Sequence, residues 1–134
     1  MNTYIDLPVR NLTLSRWFFE ALGFAFNDQF SDETAFSMVI GDTTFAMLPS
    51  HDKFRSFTSN RIADTTRSSQ VLIALQCDSR ASVDAMSAAD IAHGGAEEPP
   101  PVDQGYMDGH AFSDPDGHIR EPFWLDTAAD QDPG

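Results

Sequence analysis

Among the side chains able to do chemistry in this 134-residue chain, the most telling is Glu121, in "DPDGHIREPFW", Asp114 to Trp124. The stretch begins as a sharp turn and runs into an apolar strand with the carboxylate in its middle. A mid-strand acid is either exposed or positioned for chemistry, as a general base or as a handle for a cationic or hydroxylated ligand. Four histidines could assist it. His51 falls in a connection and His93 at a helix end, where solvent is expected to reach both, and His118 directly follows the turn glycine. His110 could pair with Glu121 if Asp114–Gly117 were a simple two-residue hairpin. Proline at the second turn position and glycine at the fourth favour instead a type I turn followed by a left-handed glycine and a bulge. Asp114 then pairs with His118, Ala111 lies opposite Glu121, and His110 turns to the other face. Because side chains alternate along a strand, this one-residue difference decides what Glu121 meets.

The elements that must carry these groups follow from periodicity. "TYIDLPV" (3–9) alternates, with Pro8 placing it at a sheet edge or a strand end. In "LTLSRWFFEALG" the residues Leu14, Trp17, Phe18, Ala21 and Leu22 form a helical stripe, with Thr13 as the expected N-cap and Gly23 as terminator. "FAFNDQF", "TAFSMVI" and "TTFAMLP" read as strands, the last two joined by a tight hairpin at "IGDT" (40–43). The second half repeats the order. "QVLIALQCD" (70–78) is a strand. "RASVDAMSAADIAHGG" is a helix with Val83, Met86 and Ile91 inward, Ser87 between them and Asp90 on the same stripe. "AEEPPPVDQ" is a proline-broken edge strand, and "GYMDGHAFS" and "HIREPFWLD" flank the "DPDG" turn. Two β-α-β-β-β modules result, an internal repeat.

Residues 1–126 are therefore expected to form one domain, made of module 3–49, linker 50–69 and module 70–126, with residues 127–134 a disordered tail. The linker holds four of the eight basic residues (Lys53, Arg55, Arg61 and Arg67), together with Phe54 and Phe57. It reads as an outer connection, a lid over a ligand, or a dimer contact.

Eleven phenylalanines can fill a core, and the formal net charge of −13 argues against nucleic acid and anionic membranes as partners. The single cysteine, Cys77, cannot form an internal disulfide. The N-terminus lacks an apolar signal core and no run is long enough to span a bilayer, so the expected location is the cytoplasm.

The paired modules, "LPVRNLTLSRWFFEALGF" and "FSDPDGHIREPFW" resemble the glyoxalase / bleomycin-resistance / extradiol-dioxygenase superfamily, also called vicinal oxygen chelate proteins, over residues 3 to about 126. The resemblance implies an α+β, glyoxalase-like fold in which two βαβββ modules curl their mixed sheets around a cavity. In metal-dependent members, ligands come from the first and last strands of each module. Those positions fall here on Tyr4, Met47 (or Phe45), Leu72 and Glu121. Glu121 alone matches a metal ligand, so no cofactor is expected, and a divalent metal belongs only to an alternative reading.

Alternation from these anchors collects Tyr4, Asp6, Phe36, Met38, Phe45, Met47, Leu72, Ala74, Gly109, Ala111, Ile119, Glu121 and Phe123 on one face. Of these, Tyr4, Asp6, Phe45, Met47, Leu72, Ala111, Glu121 and Phe123 are the expected ligand contacts, with Glu121 and Tyr4 as the catalytic pair. The ligand would be a small molecule of cationic or aromatic character, and the chain a homodimer. Three functions fit: a metal-independent lyase or isomerase using Glu121 as general base, a non-catalytic ligand-sequestering protein of the bleomycin-resistance type, or a metal-dependent lyase or dioxygenase.

Overall fold

The computed structural model describes residues 1–97, 102–103 and 107–125. The expected tail over 127–134 and the prolines at 99–101 lie outside the described residues. The chain divides into two compact units, residues 1–68 and 69–134, each with its own sheet and helix.

In the first unit, β1 (Thr3–Asp6) leads into α1 (Leu12–Ala21), followed by β2 (Ala25–Phe26), β3 (Ala35–Val39) and β4 (Thr44–Pro49). The sheet order is β1-β4-β3-β2, with β1 parallel to β4 and the other pairs antiparallel. Pro8 is tolerated because β1 lies at the edge. Leu7 and Val9 donate their N–H groups to the carbonyls of Met47 and Pro49, each at 2.9 Å, so the N–H that Pro8 lacks would have pointed away from β4.

Asn11, not Thr13, caps α1, its side chain accepting from the Leu14 N–H at 3.0 Å. The buried stripe is Ser15, Phe18, Phe19 and Leu22, whereas Leu14 and Trp17 point outward, Trp17 being 52% exposed. The helix carries apolar residues around much of its circumference, and the small Ser15 lets it approach the sheet where Trp17 could not. Phe18, Phe19, Met38, Ala46 and Leu48 are fully buried, and each large side chain among them contributes about 1.5–3 kcal/mol.

The hairpin between β3 and β4 corrects one expectation. Ile40 and Gly41 both donate to the Thr44 carbonyl, and Val39 pairs with Phe45. The loop is one residue longer than a two-residue turn, so Ser37 and Val39 share the face of Met47 and Phe45. Phe36 and Met38 sit instead across from Leu48 and Ala46, on the side of α1. The connection after β4 begins with α2 (His51–Arg55), capped by Ser50, and His51 is half-buried rather than solvated.

The second unit comprises β5 (Leu72–Gln76), α3 (Arg80–Ala92), β6 (Ala96–Glu97), β7 (Val102–Asp103), β8 (Met107–Gly109), β9 (Phe112–Ser113) and β10 (Ile119–Leu125). The last strand is the hub, parallel to β5 and antiparallel to β8 and β9. Outside these, β6 pairs with β9 and β7 with β8. Hence β6 and β7 lie along one edge of the sheet, and β8 and β9 lie between them and β10, separated by His110 and Ala111. The β-α-β-β-β order is preserved.

Ser79 caps α3, and Val83, Ser87 and Asp90 are its buried residues. Ile91, expected inward, is exposed, and Met86 is half-buried. The inner stripe therefore runs through Ser87 and Asp90, the two polar side chains that periodicity placed on it, and leaves Ile91 outside. His93, at the end of α3, is half-buried and bonded to the Ala89 carbonyl at 2.7 Å rather than solvated.

The "DPDG" turn takes the bulged form. The Gly117 N–H reaches the Asp114 carbonyl at 2.9 Å, Gly117 has φ 86°, and the Asp114 N–H bonds the His118 carbonyl at 3.0 Å. The Asp114 carboxylate holds this geometry. Its Oδ1 accepts from the backbone N–H groups of Asp116 (2.9 Å) and His118 (3.0 Å), and its Oδ2 from Arg120 Nη1 at 3.3 Å. Both side chains of this ion pair are buried. Burial raises the Asp114 pKa and lowers that of Arg120, while each charge stabilises the other. Removing one member of such a pair strands the other. Asp114→Ala is accordingly expected to lower unfolding stability by about 3–5 kcal/mol in urea titrations, against no more than about 0.5 kcal/mol for the exposed control Asp78→Ala.

Candidate functional site

Each unit presents one sheet face to its helix and the other away from it. On the first unit's outer face, Tyr4 pairs with Phe45 and Asp6 with Met47. The Tyr4 ring stacks on Phe45, centroids 5.1 Å apart and planes 20° from parallel, an offset aromatic pair on an open surface. Tyr4 remains 60% exposed. Asp6 lies at the rim, where the protein displaces enough water to push its pKa above the ordinary carboxylate value. Ser37 and Val39 complete this face in place of Phe36 and Met38.

On the second unit's outer face, β10 sets Ile119, Glu121 and Phe123 beside Leu72, Ala74 and Gln76 of β5. The pairs Ile119–Ser113 and Phe123–Gly109 share one register, so Ala111 lies across from Glu121 as the bulge requires. Leu72 is 57% exposed and Ala111 buried, while Glu121 and Phe123 are half-buried. No hydrogen bond or ion pair holds the Glu121 carboxylate among the described residues. Four of the expected contacts, Tyr4, Asp6, Phe45 and Met47, are thus brought together on one unit. The other four, Leu72, Ala111, Glu121 and Phe123, are brought together on the second.

His110 faces the helix side. Its Nε2 lies 3.1 Å from Asp84 Oδ1 and its Nδ1 3.5 Å from Glu97 Oε1. Behind Glu121, Arg120, Pro122 and Trp124 point towards α3, where the Arg80 guanidinium stacks 5.0 Å above the Trp124 ring. Gln76 is a polar group on the Glu121 face that the sequence reading passed over. Continuing the alternation Leu72, Ala74 by one step would have found it.

The positions on which the resemblance would put metal ligands hold Tyr4, Met47 (or Phe45), Leu72 and Glu121. Leucine has no donor atom and a thioether is soft, so the set does not fit a hard divalent ion. No group of three or more His, Cys, Asp or Glu side chains is placed to hold a metal among the described residues. A cleft of about 400 Å³ lies elsewhere, on the helix side of the first unit, among Thr13, Arg16, Trp17, Glu20, Ala21 and Phe36.

Two βαβββ units, each backing its sheet with one helix and leaving a mixed apolar and acidic face, define an α+β repeat protein of the glyoxalase-like kind. The chain belongs to the Glyoxalase/Bleomycin resistance protein/Dioxygenase superfamily, whose sequence profile matches residues 3–121. A hypothetical protein from S. aureus is similar in structure, with TM-score 0.81 and 25% identity over 93% of this chain and 94% of that one. The bleomycin resistance determinant encoded on transposon Tn5 aligns with TM-score 0.62 and 20% identity, covering 93% and 98%. The fosfomycin resistance protein FosX from Listeria monocytogenes aligns with TM-score 0.67 and 20% identity, covering 92% and 90%. No curated protein matches the chain. No helix among the described residues is long and apolar enough to cross a membrane.

The environment of Asp6 has a measurable sign. Its raised native pKa means that the folded state holds the proton more tightly than the unfolded chain. Its contribution to stability therefore declines as pH rises from the ordinary carboxylate value through the native one. The Asp6 Cγ resonance is expected to titrate above 3.8, and Asp6→Asn to abolish that decline in thermal melts across the same range.

Proposed function

We propose that the outer face of each unit is a candidate binding surface for a small organic ligand of cationic or aromatic character. Tyr4, Asp6, Phe45 and Met47 contribute from one unit, and Leu72, Ala111, Glu121 and Phe123 from the other. The observation that carries this reading is Glu121, a half-buried residue whose carboxylate is unpartnered among the described residues on an otherwise apolar strand face. Water satisfies an exposed acid and a partner satisfies a buried one. A carboxylate between these states is disposed to take a ligand's positive charge, hydroxyl or transferable proton.

In the catalytic form of the proposal, Glu121 is the general base of a metal-independent lyase or isomerase, and the Tyr4 hydroxyl orients the ligand. In the alternative, the same groups sequester a ligand without changing it, as the likeness to the Tn5 bleomycin resistance determinant supports. The metal-dependent lyase or dioxygenase reading is the least favoured, because Leu72 and Met47 occupy two ligand positions. Homodimerisation and a cytoplasmic location complete the proposal.

Titration of the 15N-labelled chain with bleomycin and with fosfomycin tests it. Binding is expected to shift the amides of Ile119–Phe123 and Tyr4–Asp6, and Glu121→Gln to weaken it about tenfold or more, roughly 1.4 kcal/mol. Unchanged affinity in Glu121→Gln, or shifts confined to the cleft beside Trp17, would refute the site. Mass spectrometry of the recovered ligand separates turnover from sequestration, and elemental analysis of the purified protein addresses the metal-dependent form.

A further inference from the structure

Asp90, near the end of α3, has no solvent exposure, and neither of its carboxylate oxygens has a hydrogen-bond partner among the described residues. A carboxylate in such a place is ordinarily paired, because desolvating the charge alone is very unfavourable. Here the surroundings make it worse. The groups facing Asp90 are Glu97 of β6 and Asp114 of the turn, both acidic. The nearby bases are engaged with other partners. Arg120 and His118 act on Asp114, where Asp116 opposes them, and His110 lies against Glu97 and Asp84. His93 is bonded to the Ala89 carbonyl. Burial first, then Asp114 and Glu97, push the Asp90 carboxyl up to about 7.

The backbone around it is built to close over this side chain. The Asp90 carbonyl accepts from the N–H groups of His93 (3.2 Å) and Gly95 (2.9 Å). Gly94 takes φ 99°, turning the chain back towards the sheet. A Cβ on Gly95 would run into the Asp90 carboxylate and lie 2.7 Å from the Ser113 carbonyl oxygen. Directly afterwards, Ala96 and Glu97 pair with Ser113 and Phe112 as a two-residue strand. Among the described residues, this short ladder, the Ser113 hydroxyl on the Ala96 carbonyl (3.5 Å), His110 against Glu97 and the packing of Asp90 fasten this corner to β9.

We propose that Asp90 is a proton-operated latch: protonated, it lets the end of α3 and β6 close on β9, and ionised, it drives them off. The sign follows from its place in the fold. The closed form binds the proton more tightly than the open form, so closure is favoured at low pH. It weakens as pH rises from the ordinary aspartate value, and levels off above the native value.

Amide exchange of His93 and Gly95, corrected for intrinsic rates, reads the opening. The opening constant is expected to rise about tenfold per pH unit between about pH 5 and pH 7 and to flatten above, while Asp90→Asn shows no slope. A flat profile in the wild-type chain would overturn the latch, as would a slope that survives in Asp90→Asn. The same slope in the amides of β5 and β10 would mean unfolding of the whole second unit and would equally overturn it. Should the variant fail to fold, the Asp90 Cγ resonance of the wild-type protein decides: a midpoint near 7 supports the latch, and one near the ordinary aspartate value refutes it.

Discussion

The second unit depends on a single buried carboxylate. Asp114 accepts two backbone N–H groups of its own turn and one guanidinium N–H from the strand that follows. The first two bonds force the bulge; the third anchors the strand leaving it. Because strand side chains alternate, fixing the bulge fixes the destiny of every residue in β10. Arg120, Pro122 and Trp124 must face α3, and Ile119, Glu121 and Phe123 must face away. Arg120 thereby has a double role: it neutralises the acid that sets the register, and the register puts it beside that acid. The mutual dependence couples the local turn to the packing of the whole sheet.

Much of this was legible in the sequence where local chemistry is specific. Proline and glycine in "DPDG" select one turn type, and that turn selects one register, so the separation of Glu121 from His110 could be read without coordinates. The β-α-β-β-β order was equally plain. The first hairpin was not. "IGDT" lacks a residue that dictates turn length, and a loop longer by one residue moved Phe36 and Met38 to the helix side and brought Ser37 and Val39 forward. One undetermined residue in a loop was enough to exchange two large apolar side chains for two smaller ones on the candidate face.

The helices resisted reading for a different reason. In α1, apolar residues occupy too much of the circumference for periodicity to choose a face, and the decision fell to size, with Ser15 against the sheet and Trp17 outside. In α3 the inner face is partly polar: Ser87 and Asp90, which the sequence placed on the stripe, are buried, whereas Ile91, expected beside them, is exposed. Periodicity gives the position of a polar side chain on a stripe but not what it meets there, because that depends on neighbours distant in sequence. The candidate site was legible as a set of positions on alternating strands; which of them keep solvent, and which lack partners, depended on tertiary packing.

The parallel pairing of the first strand with the last in each unit also shapes how the protein is made. β3 and β4 meet through a short hairpin, as do β9 and β10, so these contacts close small loops. By contrast, β1 reaches β4, and β5 reaches β10, only after the intervening helix and strands have been traversed. Long loops close late and at greater entropic expense. Tyr4 and Asp6 ride on one of these late-joining strands and Leu72 on the other. The faces that would meet a ligand are therefore held by the pairings of greatest sequence separation in each unit, and a ligand that bridges β1 to β4 or β5 to β10 would act as a clamp on those closures.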